Sequence, residues 1–265
     1  MPSDFPKLQT VIAQAGISSR RKAEELIRAG QVTVNAQVAQ LGQRVNPLQD
    51  KIQLNGQDLP HAVHTTSYLV YKPAGFVSTT NDELGRPTVI DYLVQVLNKP
   101  QKLPRLYPVG RLDLDSEGLM LLTNDGSLTH LLTHPSFEVP KTYQVFVAGV
   151  PSQKALAHLE QGVKLSEGFT APAQVKLLKS EGDGSWVEVT IHEGRYHQVK
   201  RMFQRVGYDV LRLIRVKLGP FSLADLKGQK YLLLSPKQSE IALAQQRDYS
   251  RKTQAHSSQE SDENH

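Results

Sequence analysis

Residues 108–126 read PVGRLDLDSEGLMLLTNDG. Leu119, Met120, Leu121, Leu122 and Thr123 form an uninterrupted apolar run, closed by the turn signal Asn124-Asp125-Gly126. Such a run predicts a strand buried on both faces. The residues before it, 111–118, are polar and read as a loop between two apolar strands, with Asp113 and Asp115 projecting from it. Loops held by a rigid sheet are where catalytic groups concentrate, and a carboxylate there can act as nucleophile or general base. A purely structural loop is the alternative, with Arg111 pairing a local carboxylate and Ser116 capping a turn.

Working outward, residues 68–72 (YLVYK) predict a strand closed by Pro73-Ala74-Gly75. Val89, Ile90, Leu93, Val96 and Leu97 recur at helical spacing. Tyr143, Val145 and Val147 alternate, as do Val187, Val189 and Ile191, and residues 210–217 form a further strand. Trp186 fits a strand residue packing against the sheet. Strands outnumber helices and short turns join many of them, so residues 67–238 predict an α+β domain around a large, mostly antiparallel sheet.

In residues 192–203 (HEGRYHQVKRMF), Val199, Met202, Phe203 and Val206 mark the apolar face of a helix ending at Gly207. Lys200 lies beside that face, and a partly buried lysine needs a carboxylate partner. Arg195, His197 and Arg201 add positive charge near the helix start. An amphipathic helix with a solvated basic side is the alternative.

Residues 7–59 form a small module of a different kind. Leu8, Val11, Ile12 and Ala15 give one helix, stopped by Gly16. Ser18 or Ser19 caps a second, whose apolar face is Ala23, Leu26 and Ile27 and which Gly30 ends. Short strands at Val32–Val34 and Ile52–Leu54 follow. Arg20, Arg21 and Lys22 stand in the first turn of the second helix, where the macrodipole disfavours cations. That placement makes sense if a phosphate sits there, held by helix amides and basic side chains. A solvated basic face partly neutralised by Glu24 and Glu25 is the alternative.

Residues 60–66 read as a polar linker, and residues 245–265 as a disordered tail without periodicity. The 265-residue chain has a net charge of +5 and no cysteine. Disulfides and thiolate metal sites are thereby excluded, and a reducing compartment fits. Neither a transmembrane run nor a signal-peptide pattern is present, so a cytoplasmic protein is expected. Nothing suggests oligomerisation, and a monomer is expected.

Two family resemblances emerge from these motifs. Ala15-Gly16, Ser19-Arg20-Arg21, Ala23-Glu24, Leu26-Ile27 and residues 30–35 (GQVTVN) resemble the alpha-L RNA-binding module first described in ribosomal protein S four. That resemblance implies recognition of structured RNA through shape and phosphates. Lys72-Pro73-Ala74-Gly75, residues 110–113 (GRLD) with 118–126, Lys141-Thr142-Tyr143, residues 193–202 and residues 212–215 (RLIR) resemble the RsuA/RluB-type bacterial ribosomal RNA pseudouridine synthases. No motif position departs clearly from the family pattern. Together the two resemblances cover about residues 7–238.

The resemblance implies the pseudouridine synthase fold, isomerisation of a uridine in ribosomal RNA, and no metal or organic cofactor. It implies Asp113 as catalytic aspartate, Tyr143 stacking on the target base, Lys200 pairing with the aspartate, and Arg111 associated with base extrusion. Ser19, Arg20, Arg21, Lys22, Arg28, Lys72, Arg195 and Arg201 are the expected RNA contacts. The expected partner is ribosomal RNA or a ribosomal subunit assembly intermediate, with no membrane involved.

Two other readings remain. One is a non-catalytic RNA-binding protein of ribosome assembly. The other is a metal-dependent hydrolase using Asp113 and Asp115, for which no third ligand is suggested. His130 and His134, at i and i+4, lack the glutamate of a zinc-protease motif and read as surface histidines. His61 and His64 in the linker read the same way.

Overall fold

The computed structural model describes residues 5–60, 64–98 and 103–262, with the backbone alone from 254 onward. The chain divides into two compact units. The first holds Met1–Thr66 with two short segments, and the second holds the rest. His61 lies outside the described residues, whereas His64 lies within them and is exposed.

In the first unit, α1 (Leu8–Gln14) and α2 (Arg20–Arg28) precede the strands β1 (Val32–Val34), β2 (Gln37–Val38), β3 (Ile52–Leu54) and β4 (Gln57–Asp58). The strands form an antiparallel sheet in the order β2-β1-β3-β4. The apolar positions read from the sequence meet in one core, where Leu8, Ile12, Ala23, Ile27, Val32 and Ile52 are buried. Ser19 is the N-cap of α2, its hydroxyl accepting from the Lys22 amide at 3.1 Å.

The second unit runs β5 (Ser67–Lys72), α3 (Val89–Leu97), β6 (Tyr107–Pro108), β7 (Glu117–Thr123), α4 (Gly126–Thr133), β8 (Lys141–Ala148) and α5 (Gln153–Gln161). It continues with β9 (Lys164–Leu165), β10 (Gly168–Phe169), β11 (Gln174–Glu181), β12 (Gly184–Ile191), α6 (Gln198–Arg205), β13 (Val210–Leu218), β14 (Phe221–Ser222), β15 (Tyr231–Leu234) and α7 (Pro236–Asp262). Among the described residues one nine-stranded sheet dominates, in the order β11-β12-β8-β13-β7-β5-β15 with β6 and β14 at its sides. Every pairing in it is antiparallel except β13 with β7. The expected strand after the aspartate loop is β7, with Leu119, Met120, Leu121 and Leu122 fully buried. Trp186 lies in β12 with its ring 5.1 Å from that of Phe146.

The parallel seam joins the two halves of the sheet and sets a steric limit. Gly118 pairs with Arg215 across it, with φ at +112°. A Cβ built on Gly118 would stand 2.3 Å from the Arg215 carbonyl oxygen. Only glycine fits such a backbone approach at that dihedral. Beside it, the Glu117 carboxylate accepts from the Arg212 guanidinium at 2.6 and 3.0 Å and from the Tyr71 hydroxyl at 2.7 Å, tying β5, β7 and β13 together.

The C-terminal expectation requires correction. The sequence predicts disorder over residues 245–265, yet α7 continues to Asp262; residues 263–265 lie outside the described residues. Ala242, Gln246 and Ser250 are buried on one face, and the Ser250 hydroxyl donates to the Phe137 carbonyl at 2.9 Å. The buried stripe is small and polar, so apolar periodicity does not reveal it. Helices α4 and α5 were also not read from the sequence. The Asn124-Asp125-Gly126 turn leads directly into α4. No helix among the described residues is long and apolar enough to cross a membrane.

Gly118→Ala should destabilise the second unit by about 3 kcal/mol or more, since it combines a strained dihedral with overpacking. A urea unfolding curve showing an unchanged midpoint would refute the steric reading.

Candidate active site

The loop between β6 and β7 is held almost entirely through its backbone. The Lys72 ammonium, fully buried at the end of β5, donates to the carbonyls of Asp113 (3.0 Å), Ser116 (2.7 Å) and Pro73 (3.1 Å). Ser78 grips Leu112 from both sides: its hydroxyl donates to the Leu112 carbonyl at 2.6 Å and accepts from the Leu112 amide at 3.0 Å. The Gly75 amide donates to the Leu114 carbonyl at 2.7 Å. Arg215, buried on β13, donates to the Leu119 carbonyl at 2.8 Å and the Arg111 carbonyl at 3.5 Å. Burial pushes the Lys72 ammonium down to about 8, while the carboxylates of Asp113, Asp115 and Glu117 work in the opposite direction.

This scaffold leaves the Asp113 carboxylate partly exposed. The Lys200 ammonium lies 3.4 Å from one of its oxygens and the His197 Nε2 lies 3.2 Å from the other. Lys200 also binds Asp115. Burial works against the Asp115 carboxylate, but the Lys200 hydrogen bond and charge outweigh it and lower its pKa. A lysine flanking the apolar face of α6 therefore has carboxylate partners, as its position predicted.

Asp113, Arg111, Tyr143, Lys141, His197 and Arg215 line one cavity of about 1040 Å³. Tyr143, buried on β8, pairs in register with Arg215 on β13 and with Val189 on β12. Arg111 is exposed at the cavity. Sequence reading counted His197 only as added charge. Its left-handed backbone (φ +46°) at the N-cap of α6 is what brings the ring to Asp113. A histidine immediately before a helix was the one available signal.

Several expected RNA contacts are otherwise engaged. Lys72 cannot reach RNA, because its three protons serve buried backbone carbonyls. Arg195 binds Glu193 at 2.9 Å and the carbonyls of Gly168 and Phe169 at 3.2 and 2.6 Å. Arg201 forks onto Glu167 and Ser166. In the first unit, Lys22 pairs with Glu25 at 2.8 Å and Arg28 with Glu24 at 3.7 Å, both on the exposed surface. Arg20 and Arg21 are exposed, with no acceptor in reach among the described residues.

Among the described residues no group of three or more histidine, aspartate or glutamate side chains could hold a metal ion. The His130 and His134 rings instead stack edge-on with each other and with Phe137.

Comparison with known proteins gives this geometry its context. The family described as RNA pseudouridylate synthase matches residues 66–205, and the S4 domain matches residues 7–57. The chain belongs to the RNA pseudouridylate synthase family. It is 44% identical to ribosomal large subunit pseudouridine synthase B of Bacillus subtilis, over 84% of this chain and 88% of that protein. It is 40% identical to the protein of the same name from Escherichia coli K12, over 82% of this chain and 75% of that one. A crystal structure of a pseudouridylate synthase superposes with a TM-score of 0.62 at 31% identity, covering 89% of this chain and 99% of that one. The synthase fold and the S4 module expected from the sequence are both present.

Lys72→Met should cost about 3 kcal/mol of stability by removing the one donor shared by the Pro73, Asp113 and Ser116 carbonyls, of which Asp113 keeps only the Ser116 amide at 3.1 Å. The salt dependence of RNA binding should not change. Unchanged melting with weakened RNA binding would restore Lys72 as an RNA contact.

Proposed function

We propose that this enzyme isomerises a uridine of large-subunit ribosomal RNA to pseudouridine, with Asp113 as its catalytic residue. The observation that carries the reading is the Asp113 carboxylate, fixed by backbone clamps and facing Lys200 at 3.4 Å at the cavity wall. The relatives named for the ribosomal large subunit favour that RNA, free or within an assembling subunit.

The target uracil lies stacked inside RNA, so the nucleotide must be extruded to react. Arg111, exposed at the cavity, takes part in that extrusion. The freed ring stacks on Tyr143, whose place on a rigid strand fixes the plane of the base. Asp113 either bonds to the sugar or base, or takes a sugar proton. Lys200 holds the carboxylate in position and complements its charge. Enclosure keeps the detached uracil beside the ribose, where reattachment through C5 is effectively intramolecular.

The S4 module supplies phosphate contacts. Ser19 caps the helix that carries them, and Arg20 and Arg21 are its most available cations. Lys22 and Arg28 contribute by exchanging their exposed glutamate partners for phosphates, because such surface pairs are worth little. Arg195 lines the cavity, and Arg195 and Arg201 both hold the β9–β10 hairpin, from which they contact RNA by exchanging those bonds for phosphates. The enzyme acts as a cytoplasmic monomer, and the cysteine-free sequence fits a reducing compartment.

Ribosomal RNA tritiated at uracil C5 tests the reaction directly, because forming the new carbon bond expels that hydrogen. The wild type should release tritium, and Asp113→Ala should bind RNA equally well but release none. RNA binding without release from free, ribosomal or precursor RNA would leave only a non-catalytic binding protein. Replacing Arg20 and Arg21 by alanine should lower the slope of log affinity against log salt by about 1 per contact. A filter-binding titration at several salt concentrations reads it, and an unchanged slope would remove these arginines from the interface.

A further inference from the structure

Lys141 and Arg215 are two buried or half-buried cations on the sheet wall of the cavity. Lys141 and Tyr143 occupy alternate positions of β8, so they share a face and stand about 6.8 Å apart along the strand. Arg215 sits opposite Tyr143 on β13. All three line the cavity. Two cations thus flank the aromatic ring on the sheet wall.

Their local compensation is incomplete. Arg215 is 2% exposed, and its Nη2 has no hydrogen-bond acceptor among the described residues. The Lys141 ammonium donates to the Val139 carbonyl at 3.1 Å, which uses one of its three protons. The charged groups acting on Lys141 are Arg215 from β13 and Glu193 from the segment after β12. Glu193 is already committed, with one oxygen taken by Arg195 at 2.9 Å and the other by Gln198 at 2.6 Å and the Ala171 amide at 3.0 Å. Burial, reinforced by Arg215, pushes the Lys141 ammonium down to about 8. Setting two cations side by side in a cavity wall costs stability, and it becomes useful where an anion forms during the reaction.

We propose that Lys141, backed by Arg215, is a further catalytic residue that takes up the negative charge collecting on the uracil ring when the glycosidic bond breaks. This rests on the function proposed above. Cleavage of C1′–N1 sends the bonding pair to N1, and conjugation spreads it over O2 and O4. The sugar is compensated either by a bond from the Asp113 carboxylate to C1′ or by loss of the C2′ proton to that carboxylate. On reattachment, C5 supplies the pair for the new bond to C1′. The carboxylate leaves C1′ with its bonding pair as that bond forms, or returns its proton to C2′; H5 then leaves as a proton and N1 is protonated. The rearrangement needs no oxidant, reductant or co-reactant. The Lys141 ammonium donates to a carbonyl oxygen of the stacked ring, where charge is greater in the detached base than in the bound nucleoside.

The test is single-turnover tritium release by wild type, Lys141→Met and Lys141→Arg from pH 6 to 9.5, with RNA affinity measured alongside. Lys141→Met should slow release about 100-fold or more, the cost of removing one preorganised donor to a developing anion. RNA affinity should stay within about 3-fold, because the charge to be met arises only after binding. The active form is the ammonium, so wild-type release should fall as pH rises through about 8. Lys141→Arg cannot lose its charge in this range, so it should retain substantial activity without that alkaline fall.

Lys72 also titrates near 8, and the arginine variant separates the two. An alkaline fall persisting in Lys141→Arg, or release by Lys141→Met within about 3-fold of wild type, would overturn the proposal. Should Lys141→Met fail to fold, the wild-type and Lys141→Arg pH profiles decide alone. Wild-type release depending on Asp113 in the same assay keeps failure here distinct from failure of the proposed function.

Discussion

The close parallel approach of β7 and β13 is the constraint on which the rest of the second unit depends. At Gly118 the two backbones come nearer than any side chain permits. That contact fixes where the aspartate loop leaves the sheet. It also sets Arg215 where one guanidinium reaches both the loop and the strand it precedes. The Glu117–Arg212–Tyr71 brace beside it resists shear between the same strands. Because the seam unites two antiparallel halves, a shift there would move Tyr143 relative to Asp113. Both sides of the cavity are therefore placed by a feature with little chemistry of its own.

Electrostatics then divides the cavity into two regions. On the loop side, Asp113 and Asp115 meet Lys200, with His197 on the far oxygen of Asp113. This group sets two carboxylates against one lysine and is partly solvated. On the sheet side, Lys141 stands beside Arg215, and the carboxylate acting on Lys141, that of Glu193, is already bound by Arg195. The fold holds these charges in place, so the field across the cavity is present before any substrate arrives. The charge movement proposed above, from carboxylate to base and back, would run along that field.

The central strand, the α6 helix, the module core and the position of Asp113 were legible in the sequence, because each rests on local periodicity or a polar interruption of it. Lys200 was legible for a related reason: a partly buried lysine beside an apolar helix face implies a carboxylate partner. The function of Lys72 was not legible. A strand-ending lysine before Pro73 looks like a surface cation until the fold wraps three carbonyls around it. His197 was hidden because its approach to Asp113 depends on a left-handed backbone that sequence does not announce. The α7 helix was hidden because Gln246 and Ser250 bury polar atoms that bond to Phe137, and hydrophobicity carries no trace of such a contact.

The carbonyl clamp around the aspartate loop separates placement from chemistry. Carbonyl oxygens belong to every residue type, so Lys72 and Ser78 hold positions 112, 113 and 116 whatever side chains stand there. The carboxylate can be exchanged while the surrounding frame keeps its geometry. On the function proposed above, an enzyme silenced at that one atom group would still extrude and cradle its nucleotide, and would arrest the RNA in the shape it takes just before bond breaking.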